Sequence, residues 1–125
     1  MTLDKAQLSL PQEMRELLDR PSVLSPVCAV CFKPWDNEHH VILKGAGGVP
    51  RALERRIPRV RLCGMGNTSG CHGRAHARTL HFDWRDGGWM YLETDKPTKR
   101  HEALEMPGWK LLGGWELVKR DAVQG

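Results

Sequence analysis

The chain has 125 residues, a size that suits one compact domain. Apolar residues make up 40%, with 13 Gly and 8 Pro, a composition that fits a loop-rich domain held by a staple better than a regular bundle or sandwich. The net charge is +4. It is concentrated in residues 44–78, where Lys44, Arg51, Arg55, Arg56, Arg59, Arg61, Arg74 and Arg78 face a single acid, Glu54. No apolar run is long enough to cross a membrane and the N-terminus lacks a secretory pattern, so a cytoplasmic location is expected.

Residues 1–10 read as a loose arm, and LPQEMRELLD (10–19) as a short helix with Leu10, Met14, Leu17 and Leu18 on its apolar side. Pro21 marks its end. VCAVCFKPW (27–35) reads as a knuckle, and HHVIL (39–43) and RVRLC (59–63) are β-prone. The intervening KGAGGVPRALERRIP is a long loop with a helical turn at RALERR. CHGRAHARTL (71–80) is expected to be helical, although Gly73 costs about 1 kcal/mol relative to Ala in a helix interior. LHFDW and WMYLET flank RDGG, a hairpin signal with Asp-Gly at the turn. The final PGWKLLGGWELVKR adds a strand or packs its tryptophans on that hairpin. The chain therefore divides into an N-terminal arm and helix (1–20), a central core (21–80) and a β-rich extension (81–125) within one domain.

Four cysteines fall in two pairs, Cys28/Cys31 and Cys63/Cys71. In a reducing compartment such a set is expected to hold zinc rather than form disulfides. C-x2-C places two thiolates on one knuckle, and a second pair brought alongside completes a tetrahedron with no open position, which makes the role structural. The wider second spacing requires a loop, for which GMGNTSG supplies three glycines. Four histidines sit beside these cysteines. His72 and His76, at i and i+4, share one helix face, as a metal site requires, and His39 and His40 open the first β-prone segment. His81 and His101 match no such pattern and are read as structural.

CAVC, EHHVILKGAGG and LCGMGNTSGCHGRAH resemble the two halves of an HNH endonuclease, the ββα-metal (His-Me finger) fold, in the form that carries an accessory zinc. The resemblance covers residues 28–80 and is greatest to short nucleases of phages and mobile elements. It implies an α+β domain stapled by zinc on Cys28, Cys31, Cys63 and Cys71, with a short N-terminal helix and a C-terminal β-hairpin extension. It also implies His40 as general base and one catalytic divalent ion (Mg²⁺, Mn²⁺, Ni²⁺ or Zn²⁺) on His39, His72 and His76. The implied substrate is DNA, and the eight cations of residues 44–78 are its candidate phosphate contacts. A protein partner or a homodimer is compatible with this reading, as is a bacterial or phage-infected cytoplasm. The chain departs from the family at Pro58, where the family has an Asn that braces the loop and the base; Asn37 and Asn67 are nearby asparagines. A DNA-binding module of nuclease descent and a zinc-stapled protein-interaction domain are the alternatives.

Overall fold

The computed structural model describes residues 10–41 and 51–124. It is a small α+β structure with two antiparallel sheets. The first helix, α1, spans only Gln12–Arg15, shorter than the segment 10–19 expected from sequence. The chain closes the helix with i→i+3 bonds from Leu17 and Leu18 to Met14 and Arg15, then turns through a left-handed Asp19, φ 66°. The apolar side survives the shortening: Leu10, Leu17 and Leu18 are buried in the core, with Met14 packed against it. Burial of these side chains, rather than helix length, holds the segment in place.

Strands β1 (Asn37–His40) and β2 (Arg59–Leu62) form the first sheet, with His39 opposite Val60 and His40 opposite Arg59. β1 begins earlier than the expected 39–43, and residues 42–50 lie outside the described part of the chain. RALERR forms a 3₁₀ helix, Arg51–Arg56. The segment before the knuckle adds a parallel bridge between Val23 and Val60, with Val23 N–H donating to the Arg59 carbonyl at 2.7 Å. Helix α2, Gly70–His76, follows β2 and is shorter than the predicted 71–80. Arg78 stops it by adopting a left-handed backbone, φ 64°, and Leu80 opens the next strand.

β3 (Leu80–Arg85) and β4 (Gly88–Glu93) form the expected hairpin. Asp86 and Gly87 occupy its turn at φ 52° and 79°, the paired positive values that suit the right-handed twist of two strands. β5 (Lys110–Leu111) extends this sheet as a third strand beside β4. The extension is less β-rich than its sequence suggests: it also holds α3 (Arg100–Leu104) and α4 (Gly113–Gln124). Two glycines let α4 begin against the knuckle. A Cβ on Gly114 would lie 2.5 Å from Ala29, and one on Gly113 would lie 2.4 Å from the Phe32 ring. Gly114 N–H donates to the Ala29 carbonyl at 2.8 Å.

The tryptophans act mainly in packing. Trp89 is fully buried, its Nε1–H donates to the Pro21 carbonyl at 2.7 Å, and Trp84 meets both Trp89 and Trp115 edge-on at 5.6 Å. This aromatic group joins the hairpin and α4 into one core.

Candidate metal centres

The knuckle and the β2–α2 connection bring Cys28, Cys31, Cys63 and Cys71 together, with all four sulfurs within 4.8 Å of one another. Phe32 N–H closes the knuckle on the Cys28 carbonyl at 3.0 Å. Gly64 and Gly70 clamp the ends of the second loop. A Cβ on Gly70 would meet the Cys63 carbonyl oxygen at 2.6 Å, and both residues have positive φ, 116° and 61°. Only glycine permits the loop to leave Cys63 and return to Cys71 this closely. A tetrahedral zinc site with bonds near 2.3 Å has sulfur–sulfur edges of about 3.8 Å. The Cys31–Cys63 separation is 3.5 Å, so the four thiols can hold an ion such as zinc.

The electrostatics of the cluster point the same way. The hydrogen bond from Cys71 holds the Cys28 thiol well below its ordinary value, and as the donor of that bond Cys71 is pushed up. Burial is the main cause of the upward shift at Cys31. Cys31 and Cys71 therefore resist losing their protons unless a cation compensates. Arg74 supplies part of that positive charge, its Nη2 lying 2.9 Å from the Cys71 sulfur. By sequence Arg74 is a candidate phosphate contact; the structure engages it with a thiol and, at 4.0 Å, with Glu93.

The second group contains His39, His72 and His76, whose ring nitrogens also lie within 4.8 Å of one another. β1 turns His39 inward and α2 places His72 and His76 one turn apart opposite it. The ring centroids are 5.2, 5.1 and 4.7 Å apart. His39 and His72 are buried, and His76 is exposed. His72 Nδ1–H donates to the Gly66 carbonyl at 2.7 Å, which leaves its Nε2 as a lone-pair donor. That nitrogen is 3.2 Å from His76 Nε2. Tetrahedral zinc–nitrogen bonds of about 2.0–2.1 Å would set neighbouring nitrogens about 3.3–3.4 Å apart. A carbonyl that fixes the tautomer and tilt of a ligand histidine is the usual support of such a site.

Burial first, and then the neighbouring histidine charges, lowers His39 to about 3; burial also lowers His76, with His72 adding to the effect. Both imidazoles are therefore held in the neutral form that ligates metals. The group is legible in sequence, but the Gly66 carbonyl is not, because a backbone acceptor leaves no mark on residue identity.

His40 stands outside this trio. It is the last residue of β1, half-buried, and alternation along the strand directs it away from the His39 side. It remains close enough that its charge contributes to lowering His39. At Pro58 the backbone is engaged: its carbonyl accepts Val41 N–H at 3.0 Å, just after His40. Asn37 does not take over near His40. Its side-chain amide donates to the Gly64 carbonyl beside the cysteine cluster. Asn67 is exposed in the loop after it.

The basic segment is largely paired by acids from elsewhere in the chain. Arg56 bonds Asp19, Arg59 and Arg61 both reach Glu38 at 3.5 and 3.4 Å, and Arg61 also covers the Trp35 ring at 4.4 Å. Among the described residues, Arg55 and Arg78 are exposed and belong to no ion pair. Lys44 and the Arg51 side chain lie outside the described residues. Comparison with protein-family models, curated proteins and solved structures found no match for this chain, so the two clusters themselves carry the functional conclusion.

Proposed function

We propose that the protein is a metal-dependent endonuclease of the HNH (ββα-metal) type that hydrolyses DNA phosphodiester bonds. The observation that carries this reading is the convergence of His39, His72 and His76, with His72 pinned through Nδ1 to Gly66, on a β1–β2–α2 unit tied by four cysteines. A purely structural histidine has no need of two similar neighbours within metal-ligand distance, two of the three held neutral.

In this reading the cysteines hold zinc structurally, and the three histidines hold a catalytic divalent cation. Bound there, the cation would supply positive charge to a phosphate oxygen and to the leaving 3′ oxygen. His40 takes a proton from the attacking water. The reading requires that the end of β1, where the chain bends at Val41, admit a water between His40 and a phosphate near the trio. Arg55 and Arg78 supply exposed positive charge for the phosphate backbone. Water-activating bases work best when they titrate near neutrality, as imidazole ordinarily does.

Pro58 favours a second reading, a DNA-binding module of nuclease descent with weakened catalysis. It provides a backbone carbonyl near His40, but no side-chain amide to orient the base. Plasmid cleavage in Mg²⁺, Mn²⁺ or Ni²⁺ separates the two. Nicked or linear product that disappears in EDTA is expected of the nuclease. DNA retention without cleavage in any of these ions would establish the module instead.

A further inference from the structure

A cavity of about 280 Å³ lies beside the histidine trio, with His39 forming part of its lining. Met14 of α1, Val41 after β1, and Leu80 and Phe82 of β3 make its apolar walls. Its charged residues are unbalanced: Arg78, Lys99 and Arg100 line it against one acid, Glu13.

Two of these cations are fixed by the surrounding backbone. Arg100 Nη1 donates to the Phe82 carbonyl at 2.7 Å and Nη2 to Asp83 at 3.0 Å, while its Nε is buried without a hydrogen-bond partner. The two bonds fix the Arg100 guanidinium at the cavity wall, so its positive charge is held in place. Arg78 is held in a left-handed backbone at φ 64°, its carbonyl accepting from His81 Nε2–H and Thr98 N–H, each at 2.9 Å.

We propose that this cavity is a nucleotide subsite, which receives one base unstacked from the DNA strand whose neighbouring phosphate lies at the histidine trio. The inference rests on the nuclease reading. Its volume is slightly below the range of about 300–1,000 Å³ typical of ligand pockets, which suits a single heterocycle and excludes a dinucleotide cofactor. Apolar walls accept the face of any base, as sites for unstacked bases do. Arg100, which lines the cavity, adds positive charge beside the base. Arg78 and Lys99, both exposed, are placed to meet the attached phosphate.

The test is a titration of the metal-loaded full chain with each deoxynucleoside 5′-monophosphate, followed by ¹H–¹⁵N NMR, with inorganic phosphate as comparator. Saturable shifts are expected at Val41, Leu80, Phe82 and the Arg100 Nε–H, and phosphate alone should not reproduce them. Arg100→Gln should weaken binding about tenfold or more. Met14→Trp, on a half-buried side chain, should fill the cavity and abolish binding; where it fails to fold, Arg100→Gln decides alone. No shift at these residues, equal shifts from phosphate, or unchanged binding in the folded variants would overturn the subsite. DNA cleavage measured in parallel keeps the two claims apart. Cleavage without nucleotide binding removes the subsite and leaves the nuclease; nucleotide binding without cleavage supports the subsite and removes the nuclease.

Discussion

The Nδ1–H of His72 donates to the carbonyl of Gly66, 2.7 Å away. Gly66 belongs to the loop whose ends are Cys63 and Cys71, so the cysteine cluster and the histidine trio share one structural support. Loss of metal from the cysteines should therefore loosen His72 as well as destabilise the fold.

Elemental analysis of protein purified without added metal should show about one zinc per chain, more if the histidine site is also filled. Cys71→Ser should lower zinc content and reduce stability by several kcal/mol, because metal binding contributes folding free energy in small metal-stapled domains. A fully folded, metal-free wild type would refute the structural-zinc assignment.

Two histidine substitutions should fail differently. His40→Ala should reduce cleavage by about 10²–10⁴, the usual contribution of a general base, with zinc content and DNA affinity retained. His76→Ala should also suppress cleavage, but high divalent-ion concentration should restore part of it, since His76 is exposed and contributes one of three ligands. Equal cleavage rates for wild type and His40→Ala would remove His40 from the mechanism.

Among the described residues, the arginines divide into exposed, unpaired residues and residues engaged by acids or rings within the fold. Arg55→Ala combined with Arg78→Ala should weaken DNA binding across sequences. It should flatten the salt dependence by up to about 0.9 in log–log slope for each phosphate no longer neutralised. Arg61→Ala should act mainly on stability, because Arg61 joins Glu38, the Trp35 ring and the Ser25 carbonyl. An unchanged salt slope in the double variant would place these two arginines away from phosphate.

Gly73→Ala tests the fit between α2 and its loop. At an unhindered helix position this change stabilises by about 1 kcal/mol. Here the new Cβ would lie 2.6 Å from the Thr68 backbone carbon. The expected result is a loss of about 1–3 kcal/mol, as for other overpacked sites, measured by denaturant unfolding at fixed zinc. A stabilised variant would show that the loop can yield.

Acid should unfold the protein partly through His81. Burial lowers its pKa, while its bond to the Arg78 carbonyl opposes that shift and the Arg100 charge adds to it. The unfolded chain therefore binds a proton near pH 6.5 that the folded chain resists, and stability should fall as pH drops below that value. The slope from one such group reaches at most about 1.4 kcal/mol per pH unit. His81→Gln should reduce the slope of stability against pH in this range. An unaltered slope would show that other histidines account for the acid response.

The amino-acid sequence is enough to pair the cysteines, to put His72 and His76 on one helix face and to locate the Asp-Gly hairpin. In each case the information is local, set by chain spacing or by a turn that admits few residue types. It also suggests helices over 10–19 and 71–80, which the tertiary structure shortens, and it leaves unread which partners the basic residues take within the fold. Asp19 and Glu38, distant in sequence, pair with Arg56, Arg59 and Arg61. Left-handed residues at Asp19 and Arg78 turn the chain toward packing that outweighs helix propensity. The helix α4 is hidden in the sequence because Gly113 and Gly114 normally oppose helix; here they permit its close approach to Phe32 and Ala29. The Gly66 support of His72 and the cavity beside His39 are likewise products of folding, since a backbone carbonyl and an enclosed volume have no residue-level signature.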